Sequence, residues 1–413
     1  MTNKKKRIAI IGTAGVPARY GGFETLAHNL VLNLNNTYDI HVYASRHIYS
    51  KSERVEKWEN AKIHYLPLGA NGMSSIPYDI LSMTHALTYA DYIIVLGVSG
   101  GLFIPFIRLF SKKKVIVNID GLEWRRNKWN KWAQRFLKIS ERVAVRFSHA
   151  DITDNESIKR YTAIHYKTAS HLIAYGADHA SHQKLSRSDF QKYPFLSSPY
   201  AFKVARIEPE NNVHIILEAF SKLPQKKIVI VGNWEKSIYG KALKTNYSKF
   251  KNIYILDPIY NQCELDKLRS NCFLYVHGHS AGGTNPSLVE AMYLRLPVFA
   301  YDVSYNHATM QNKGLYFKSE EQLIQLLNNT TYSELKTIAS HLEQIAKFKY
   351  TWKFVSQRYA SLIESFDYNY VKPKLKHKNT EMTYSDLLKS GYAHLENTKQ
   401  FFESTSNTED YGK

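Results

Sequence analysis

The stretch FLYVHGHSAGGTNPSLVEAM, residues 273–292, joins an apolar run, a glycine-rich loop and the start of a helix. The apolar run predicts a β-strand that ends near His277. Pro286 suits the first position of the helix, and Thr284 or Asn285 suits its N-cap. A strand, a glycine loop and a helix in this order are typical of an open α/β sheet, which binds ligands at the carboxyl ends of its strands.

Gly282 and Gly283 would let this loop approach an anion closely, while the helix N-terminus supplies backbone N–H groups for a diphosphate. Glu290 follows just over one turn inside the helix, where a carboxylate can accept hydrogen bonds from a sugar hydroxyl. Its neighbours Ala291 and Met292 indicate a buried helix, and a buried glutamate needs a partner. The alternative is a well-capped core helix with an incidental glutamate; the pattern favours a ligand site.

The same alternation of apolar runs and helical patterns occurs twice along the chain. Strands are predicted at residues 7–12, 39–44, 62–66, 92–97, 114–120 and 151–153, and again at 200–206, 227–232, 252–256, 273–277 and 297–300. Helices are predicted at residues 23–34, 129–148, 212–223, 264–270 and 286–294. Continuous Ile and Val runs that alternate with helices predict parallel sheets covered on both faces. We therefore expect an α/β protein with two doubly wound, Rossmann-like domains.

The predicted domains are residues 1–180 and 195–350, joined by a polar, turn-rich segment within 175–195. A C-terminal helix at 351–366 is expected to pack back on the first domain. The polar tail 367–413 is expected to hold no more than a weakly attached helix. With 413 residues, 44% of them hydrophobic, the chain is long enough for two cores of roughly 150–200 residues each.

Cysteine content and the N-terminal sequence favour a reducing, cytoplasmic location, because the chain has only two cysteines and no cleavable apolar segment follows Met1. The apolar stretch 93–110 contains three glycines, a proline and Arg108. It therefore predicts a strand, a glycine turn and a short helix rather than a membrane span.

The net charge of +19 is concentrated in residues 101–150, which hold 12 Lys and Arg against 3 acids. Such a charge suits a phosphorylated ligand, an anionic membrane or a nucleic acid.

A second glycine-rich loop, GTAGVPARYGGFE, follows the first predicted strand at residues 12–24. Its position ahead of a helix predicts an anion- or acceptor-binding loop. The candidate residues are Gly15, Arg19, Tyr20, Gly21 and Gly22. A dinucleotide fingerprint would need G-x-G-x-x-G and an acid at the end of the second strand, and both are missing here. A glycine turn without a ligand remains the other alternative.

Arg206 ends the first strand of the second domain, and Asn211 or Asn212 is a candidate cap of the next helix. An arginine at a strand end near a helix N-terminus suits a bidentate phosphate contact. A surface ion pair with Glu208 or Glu210 is equally compatible with the sequence.

Asp120 directly follows an apolar strand, so it is a candidate catalytic or acceptor-binding carboxylate, although a helix cap is the alternative. After it, aromatic and basic residues alternate, which suits an anionic membrane surface or a lipid-diphosphate head group. A solvated helix face and a single-stranded nucleic-acid surface are the other interpretations. The residues of this predicted surface are Trp124, Arg125, Arg126, Lys128, Trp129 and Trp132.

The second domain resembles the nucleotide-binding domain of the family-4 retaining glycosyltransferases. The similarity lies in KVARIEPENN (203–212), the glycine loop and PSLVEAMYLRLPV (286–298). The first domain resembles a bacterial subgroup of rhamnosyl and related polysaccharide glycosyltransferases, through IAIIGTAGVPARYGGFETLA (8–27), DGLEWRRNKW (120–129) and IAYGAD (173–178). The resemblance covers nearly all of 8–359 and implies the GT-B fold, with two domains that face a cleft.

The resemblance also implies roles for single residues. Glu290 would bind the donor ribose, Arg206 the donor diphosphate, and Gly21 and Gly22 would lie against the donor phosphate and the acceptor. Two positions depart from the family pattern. Asn211 stands where the family has a lysine, and Gly282 where it has a glutamate. Asp120 would take the place of a residue in a family motif that contains histidine.

The resemblance implies a retaining glycosyltransferase of bacterial capsule or exopolysaccharide synthesis. L-rhamnose from dTDP-rhamnose is the first candidate for the transferred sugar, and a UDP-hexose is the alternative donor. The acceptor would be a polyprenyl-diphosphate-linked glycan, reached from the inner face of the cell membrane. No D-x-D sequence occurs, so we expect neither a metal nor a cofactor. An NAD(P)-dependent enzyme and a basic nucleic-acid-binding protein are the alternatives from other classes.

Overall fold

The computed structural model describes residues 5–19, 21–119, 121–125 and 129–375, except for the side chain of Arg125. The chain divides into two compact units. Unit 1 comprises Met1–Ile173 together with Ser356–Lys413, and unit 2 comprises Ala174–Val355. The predicted weakly attached helix of the tail lies outside the described residues.

Unit 1 contains one sheet of eight strands. They are β1 (Arg7–Ile11), β2 (Asp39–Ser45), β3 (Lys57–Trp58), β4 (Ala61–Leu66), β5 (Tyr92–Leu96), β6 (Lys114–Asn118), β7 (Ala150–Thr153) and β8 (His171–Leu172). Their order is β3-β4-β2-β1-β5-β6-β7-β8, and only the short β3–β4 pair is antiparallel. All five residues of β5, YIIVL, are buried, as expected for a central parallel strand that is covered on both faces.

The helices of unit 1 follow the predicted alternation with strands. They are α1 (Gly22–Leu34), α2 (Ser75–Ala86), α3 (Ile104–Phe110), α4 (Lys131–Phe147) and α5 (Glu156–Tyr166). The stretch 93–110 forms the end of β5, a turn and α3, which confirms the prediction made for it. Within the described part of the chain, no helix has the length and apolar character needed to cross a bilayer.

Unit 2 contains a second, entirely parallel sheet. Its strands are β9 (Tyr200–Val204), β10 (Lys227–Val231), β11 (Ile253–Leu256), β12 (Leu274–His277), β13 (Val298–Tyr301) and β14 (Leu315–Phe317). The spatial order β11-β10-β9-β12-β13-β14 is that of a doubly wound nucleotide-binding sheet. The helices of this unit are α6 (Arg187–Lys192), α7 (Val213–Ser221), α8 (Ile238–Tyr247), α9 (Gln262–Ser270), α10 (Pro286–Tyr293), α11 (Ser304–Met310), α12 (Glu320–Asn329) and α13 (Tyr332–Lys349).

Apolar clusters cover both faces of the second sheet. Phe202 of β9 and Tyr275 of β12 belong to one cluster, whereas Ala201 and Val276 belong to the other. Successive residues of a strand point to opposite faces, so these continuous apolar strands bury side chains on both sides. The prediction of two doubly wound parallel-sheet units is therefore confirmed.

The segment after Ile173 belongs to the packed interior of unit 2. Ala177 is buried, and its N–H donates to the carbonyl of Tyr350 at 2.7 Å. A side chain at Gly176 would collide with Trp352, since its Cβ would lie 2.4 Å from the indole. The last described helix, α14 (Trp352–Ser365), starts beside this segment and continues into unit 1. There Tyr359 accepts a hydrogen bond from Asn118 at 2.9 Å.

Candidate functional site

The carboxyl ends of β9 and β12 lie side by side at the centre of the second sheet. The strand that follows β9 in the chain lies on one side of this pair, and the strand that follows β12 lies on the other. Loops that leave such a pair diverge, and open α/β sheets bind ligands in the crevice that results. The loop after β9 contains Arg206 and Asn211, and the loop after β12 contains Gly282 and Gly283.

The two loops are joined by side-chain hydrogen bonds. Asn212 donates to the carbonyl of Gly278 at 2.8 Å, and Nδ1 of His279 lies 2.9 Å from Oδ1 of Asn211. Only glycine fits at position 278, because a Cβ there would lie 2.3 Å from the carbonyl oxygen of Asn211. Asn211 also donates to the carbonyl of Arg206 at 2.9 Å. The sequence-predicted residues Arg206 and Asn211 are therefore held beside the glycine loop.

The guanidinium of Arg206 is half-buried and makes no hydrogen bond or ion pair with a described residue. The alternative ion pair with Glu208 or Glu210 does not form. Arg206 stands in the loop after β9, one of the two loops that border this crevice, and its guanidinium is a cation. It can contact a phosphate in bidentate fashion without first breaking a protein contact.

Helix α10 begins at the glycine loop as expected. Of the two candidate caps it is Asn285 that acts, since its side chain accepts from the N–H of Ser287 at 3.0 Å. Thr284 is buried one residue earlier, and Gly282 has φ of +105°, a conformation that favours glycine. Pro286 has no N–H, and the N–H groups of Ser287, Leu288 and Val289 are bonded to Asn285. What α10 offers an anion at the carboxyl edge of the sheet is therefore the positive end of its dipole and the glycine loop ahead of it.

Glu290 of α10 forms an ion pair with Arg269 of α9, whose side chain is fully buried. Arg269 also pairs with Asp266 at 2.5 Å. Burial raises the pKa of Glu290, but the charge of Arg269 and a hydrogen bond from His179 outweigh it and lower the pKa to about 2. The partner that a buried glutamate requires is thus supplied by the protein itself, a pairing that the local sequence did not reveal.

His179 is the second partner of Glu290, with Nε2 3.1 Å from Oε1. On its other side, Nδ1 of His179 accepts a hydrogen bond from the indole of Trp352 at 2.9 Å. An indole N–H can only donate, so the neutral ring carries its proton on Nε2 and donates it to Glu290. The Glu290 side chain is 13% exposed, and each of its oxygens keeps lone-pair capacity for a hydroxyl.

Sequence reasoning missed four residues of this network, which are His179, Asp266, Arg269 and Trp352. A usable signal existed for only one of them. His179 directly follows the IAYGAD segment (173–178) that carries part of the family resemblance. Arg269 and Asp266 appeared only as polar residues of the helix predicted at 264–270, and Trp352 only as a residue of the helix predicted at 351–366.

The glycine loop of unit 1 is fixed by the half-buried carboxylate of Glu24. Oε1 of Glu24 accepts from the N–H of Ala14 at 2.7 Å. A Cβ at Gly21 would lie 1.9 Å from the other carboxylate oxygen, and Gly21 has φ of +124°. Gly22 is the first residue of α1, and Gly15, with φ of +127°, packs against the side chain of Ala44. This loop therefore also ends at a helix N-terminus.

Arg19 of the same loop is engaged within unit 1. It pairs with Glu53, donates to the carbonyl of Ile48 at 2.9 Å and lies over the ring of Tyr49 at 4.8 Å. Its guanidinium thus joins the loop to the segment after β2 through contacts that are partly exposed to solvent. Tyr20, the next predicted residue, lies outside the described residues.

The predicted catalytic residue Asp120 also lies outside the described residues, as do Arg126 and Lys128 and the side chain of Arg125. Trp124 packs against the ring of Tyr161, and Nε1 of Trp129 donates to Glu123 at 3.1 Å. Trp132, on α4, is 78% exposed. Of the three tryptophans predicted for a membrane surface, only Trp132 is largely open to solvent.

Comparisons with known proteins agree with this division into two units. Residues 186–339 match the family model described as glycosyl transferases group 1, and residues 5–178 match a domain of unknown function, DUF1972. Over 162 residues the chain is 25% identical to the glycosyltransferase 1 domain-containing protein 1 of Xenopus tropicalis. This match covers 37% of the chain, which spans only about half of that relative, 47% of its length.

Solved structures share the fold over most of the chain. Sucrose-phosphate synthase from Thermosynechococcus elongatus superposes with a TM-score of 0.74 at 14% identity, covering 89% of this chain and 100% of that one. A glycosyltransferase from Rickettsia africae gives 0.67, with 14% identity and coverage of 89% and 100%. Anabaena HepE in complex with UDP gives 0.65, with 14% identity and coverage of 87% and 100%. The chain therefore has the two-domain GT-B fold, and residues 186–339 in its second unit match the glycosyl transferases group 1 model.

Proposed function

We propose that this protein is a retaining glycosyltransferase that moves a sugar from a nucleoside-diphosphate donor onto a lipid-linked or oligosaccharide acceptor in bacterial cell-surface polysaccharide synthesis. One observation carries the proposal. Within the part of the chain that matches the glycosyl transferases group 1 model, Arg206 follows β9 beside the glycine loop, and its guanidinium has no partner among the described residues. Such an arrangement suits the diphosphate of a nucleotide sugar.

In this proposal Arg206 and the backbone of the glycine loop ahead of α10 bind the diphosphate, and they stabilise the charge that develops as it leaves. No metal is needed for that step. Glu290, oriented by Arg269 and by the Nε2 proton of His179, accepts hydrogen bonds from the ribose. The acceptor hydroxyl attacks the anomeric carbon on the face from which the diphosphate departs, and unit 1 binds the acceptor.

The donor sugar is the finer part of the proposal. L-rhamnose from dTDP-rhamnose is the first candidate, on the resemblance of unit 1 to bacterial rhamnosyltransferases. A UDP-hexose is the second candidate, and a specific observation favours it. Anabaena HepE, which shares this fold, was crystallised in complex with UDP-glucose.

A donor panel tests the activity. The purified protein is incubated with dTDP-rhamnose, UDP-glucose, UDP-galactose or a GDP-sugar, and with a synthetic polyprenyl-diphosphate glycan, and the glycolipid product is measured. We expect transfer from one donor class, and loss of about 100-fold or more in Arg206→Ala, since one preorganised donor to the leaving group contributes about 3 kcal/mol. Arg295→Ala is the control, because Arg295 is an exposed arginine of the same unit.

The proposal fails if the protein binds no nucleotide sugar in this panel. Binding of NAD(P) instead would support the dehydrogenase-like alternative. Tight binding of single-stranded nucleic acid that weakens steeply with salt would support the nucleic-acid alternative.

We also propose that the protein works in the cytoplasm as a peripheral protein on the inner face of the membrane. The support comes from α3, where Phe106, Leu109 and Phe110 are exposed, the last by 78%. Exposed cations lie close in sequence, namely Arg108 and Lys112, and the neighbouring α4 adds exposed Trp132. Apolar side chains with flanking cations suit an anionic bilayer surface. We therefore include α3 in the proposed membrane-binding surface, next to the segment 124–132 predicted from the sequence.

A further inference from the structure

A buried lysine lies next to the candidate donor site, and no described side chain serves as its counter-ion. Lys203 is on β9, three residues before Arg206, and it is 1% exposed. Its ammonium forms no hydrogen bond or ion pair with any residue that the structure describes. A Cβ added to Gly278 would lie 3.2 Å from Nζ of Lys203 and 2.3 Å from the carbonyl oxygen of Asn211. The ammonium is therefore directly beneath the two loops of the candidate site.

His277 accompanies this lysine. It is the last residue of β12, the strand paired with β9, and it is 2% exposed. Neither ring nitrogen has a hydrogen-bond partner among the described residues. Burial lowers the pKa of His277 well below its usual value, and the nearby positive charges of Lys203 and His279 lower it further. The neutral ring still carries one N–H that can donate.

Burying the ammonium of Lys203 costs free energy unless an anion binds beside it. Burying a cation without a partner is expensive, and burial alone lowers the pKa of Lys203 to about 7. A well-packed apolar side chain of similar size would fill the same space at lower cost. Asn211 is uncharged, so it adds no positive charge to the site. Its side chain is also already bonded to His279 and to the Arg206 carbonyl.

We propose that Lys203, together with the N–H of His277, supplies the second positive charge of the donor diphosphate subsite, beneath the glycine loop and beside Arg206. This inference rests on the proposed function and assigns a further ligand-binding residue to it. The ligand class is a nucleoside diphosphate, and the contribution grows with the number of phosphates. Lys203 stabilises the bound diphosphate and the departing one, whereas the nucleoside is bound elsewhere in the unit.

The test is calorimetry on the full chain with a charge series of ligands. Wild type, Lys203→Met and Lys203→Gln are titrated with UDP or dTDP, with the matching monophosphate, and with the uncharged nucleoside. For both variants we expect at least a tenfold rise in the Kd of the diphosphate, a smaller rise for the monophosphate and none for the nucleoside. The melting temperature of Lys203→Met should be equal or higher. Lys227→Met is the matched control, because Lys227 starts β10 and donates to Ser198 at 2.6 Å.

Two results would overturn the inference alone. One is wild-type diphosphate affinity in either folded variant. The other is an equal loss for the diphosphate and the nucleoside, which a merely structural lysine would give. If wild type itself binds no nucleoside diphosphate, the proposed function fails and this inference fails with it. Retained tight diphosphate binding in Lys203→Gln would also contradict it even if Lys203→Met did not fold.

Discussion

The indole Nε1 of Trp352 donates a hydrogen bond to Nδ1 of His179 at 2.9 Å, and this contact fixes the side of the imidazole that carries the proton. The other ring nitrogen then donates to Glu290, whose second oxygen is held by the buried Arg269. Trp352 thus orients a carboxylate that it does not touch. Residues that act in this way position a site without contacting its ligand.

Replacing Trp352 by phenylalanine removes the hydrogen bond that fixes the tautomer of His179, so both tautomers should become populated. We expect ¹⁵N spectra to show the Nε2–H form in the wild type and a mixture of tautomers in Trp352→Phe. The free energy of unfolding should fall by about 1–3 kcal/mol through the lost hydrogen bond and the lost packing. Trp132→Phe, at an exposed position, should change it by less than about 0.5 kcal/mol. A single, unchanged tautomer in Trp352→Phe would contradict this assignment.

The ion pair of Arg269 and Glu290 should matter strongly for stability. Arg269→Met leaves Glu290 and Asp266 without their cation, and removing one partner of a buried pair costs about 3–5 kcal/mol. Urea unfolding measures this loss. The matched control is Arg295→Met, whose arginine is 61% exposed and pairs with Glu343 at 3.4 Å. Exposed pairs contribute about 0–1 kcal/mol, so equal losses in the two variants would refute the prediction.

Gly278→Ala should separate the two loops of the donor site. The added Cβ would lie 2.3 Å from the carbonyl oxygen of Asn211, so that backbone must move. Overpacking of this kind costs about 1–3 kcal/mol, and we expect nucleoside-diphosphate affinity to fall with it. At Gly72 a Cβ would meet nothing within 4 Å, although φ is +70°. Gly72→Ala should therefore lower stability through backbone strain while leaving the affinity unchanged, as measured by calorimetry.

Acidification should lower the free energy of unfolding through a cluster of histidines in unit 1. His64 lies 2.8 Å from His41 and close to His85. Burial, followed by the charges of these two rings, lowers the pKa of His64 to about 4. An unfolded histidine titrates near about 6.5, so between about pH 6.5 and 4 the unfolded state binds the extra proton. Stability therefore falls as the pH drops through this window.

His64→Gln should make this pH dependence shallower, as measured by urea midpoints at pH 7, 5.5 and 4. The dependence should not vanish, because burial also lowers the pKa of His149 and of His171 to about 4. His47→Gln, at an exposed position, is the control and should leave the slope as it is. An unaltered slope in His64→Gln would exclude the cluster as its source.

Binding to anionic vesicles should depend on the apolar face of α3. Phe110→Ser removes a 78% exposed aromatic ring, and inserting such a ring contributes about 1.5–3 kcal/mol, so we expect at least a tenfold weaker partition in a sedimentation assay. Phe348→Ser is the matched control, since Phe348 on α13 is 75% exposed and belongs to unit 2. If both variants bind vesicles like the wild type, α3 is not the docking surface.

Much of the architecture was readable from local patterns. The run that predicts a strand at 227–232 forms β10, and the cap and proline at 285 and 286 start α10. Short elements such as β14 (Leu315–Phe317) were not predicted. Three residues show no periodicity of their own, and this strand depends on pairing with β13. Several helices, α8 among them, were also missed, since polar helices with narrow apolar faces give a weak signal.

Part of the candidate site was also predictable from the sequence, because the geometry of a parallel sheet places certain loops together. Loops that follow parallel strands must emerge at one edge of the sheet, so Arg206, Asn211 and Gly282 could be placed together before any coordinates. The roles of Arg19 and Trp124 could not be foreseen, since both side chains make contacts with residues far away in the chain.

By itself, the sequence determined the two parallel sheets, the loops at their carboxyl edges and the residues that those loops carry. Only the tertiary structure decided which charges are paired. Glu290 meets His179 from 111 positions away, and His179 meets Trp352 from 173 positions away. Among the residues that the structure describes, Arg206 has no ion-pair partner although two glutamates are close in sequence, and the buried Lys203 has no acidic partner. The physical reason is that hydrophobic periodicity is set by neighbours along the chain, whereas a charge is paired or left free by whichever side chains the completed fold brings within a few ångströms.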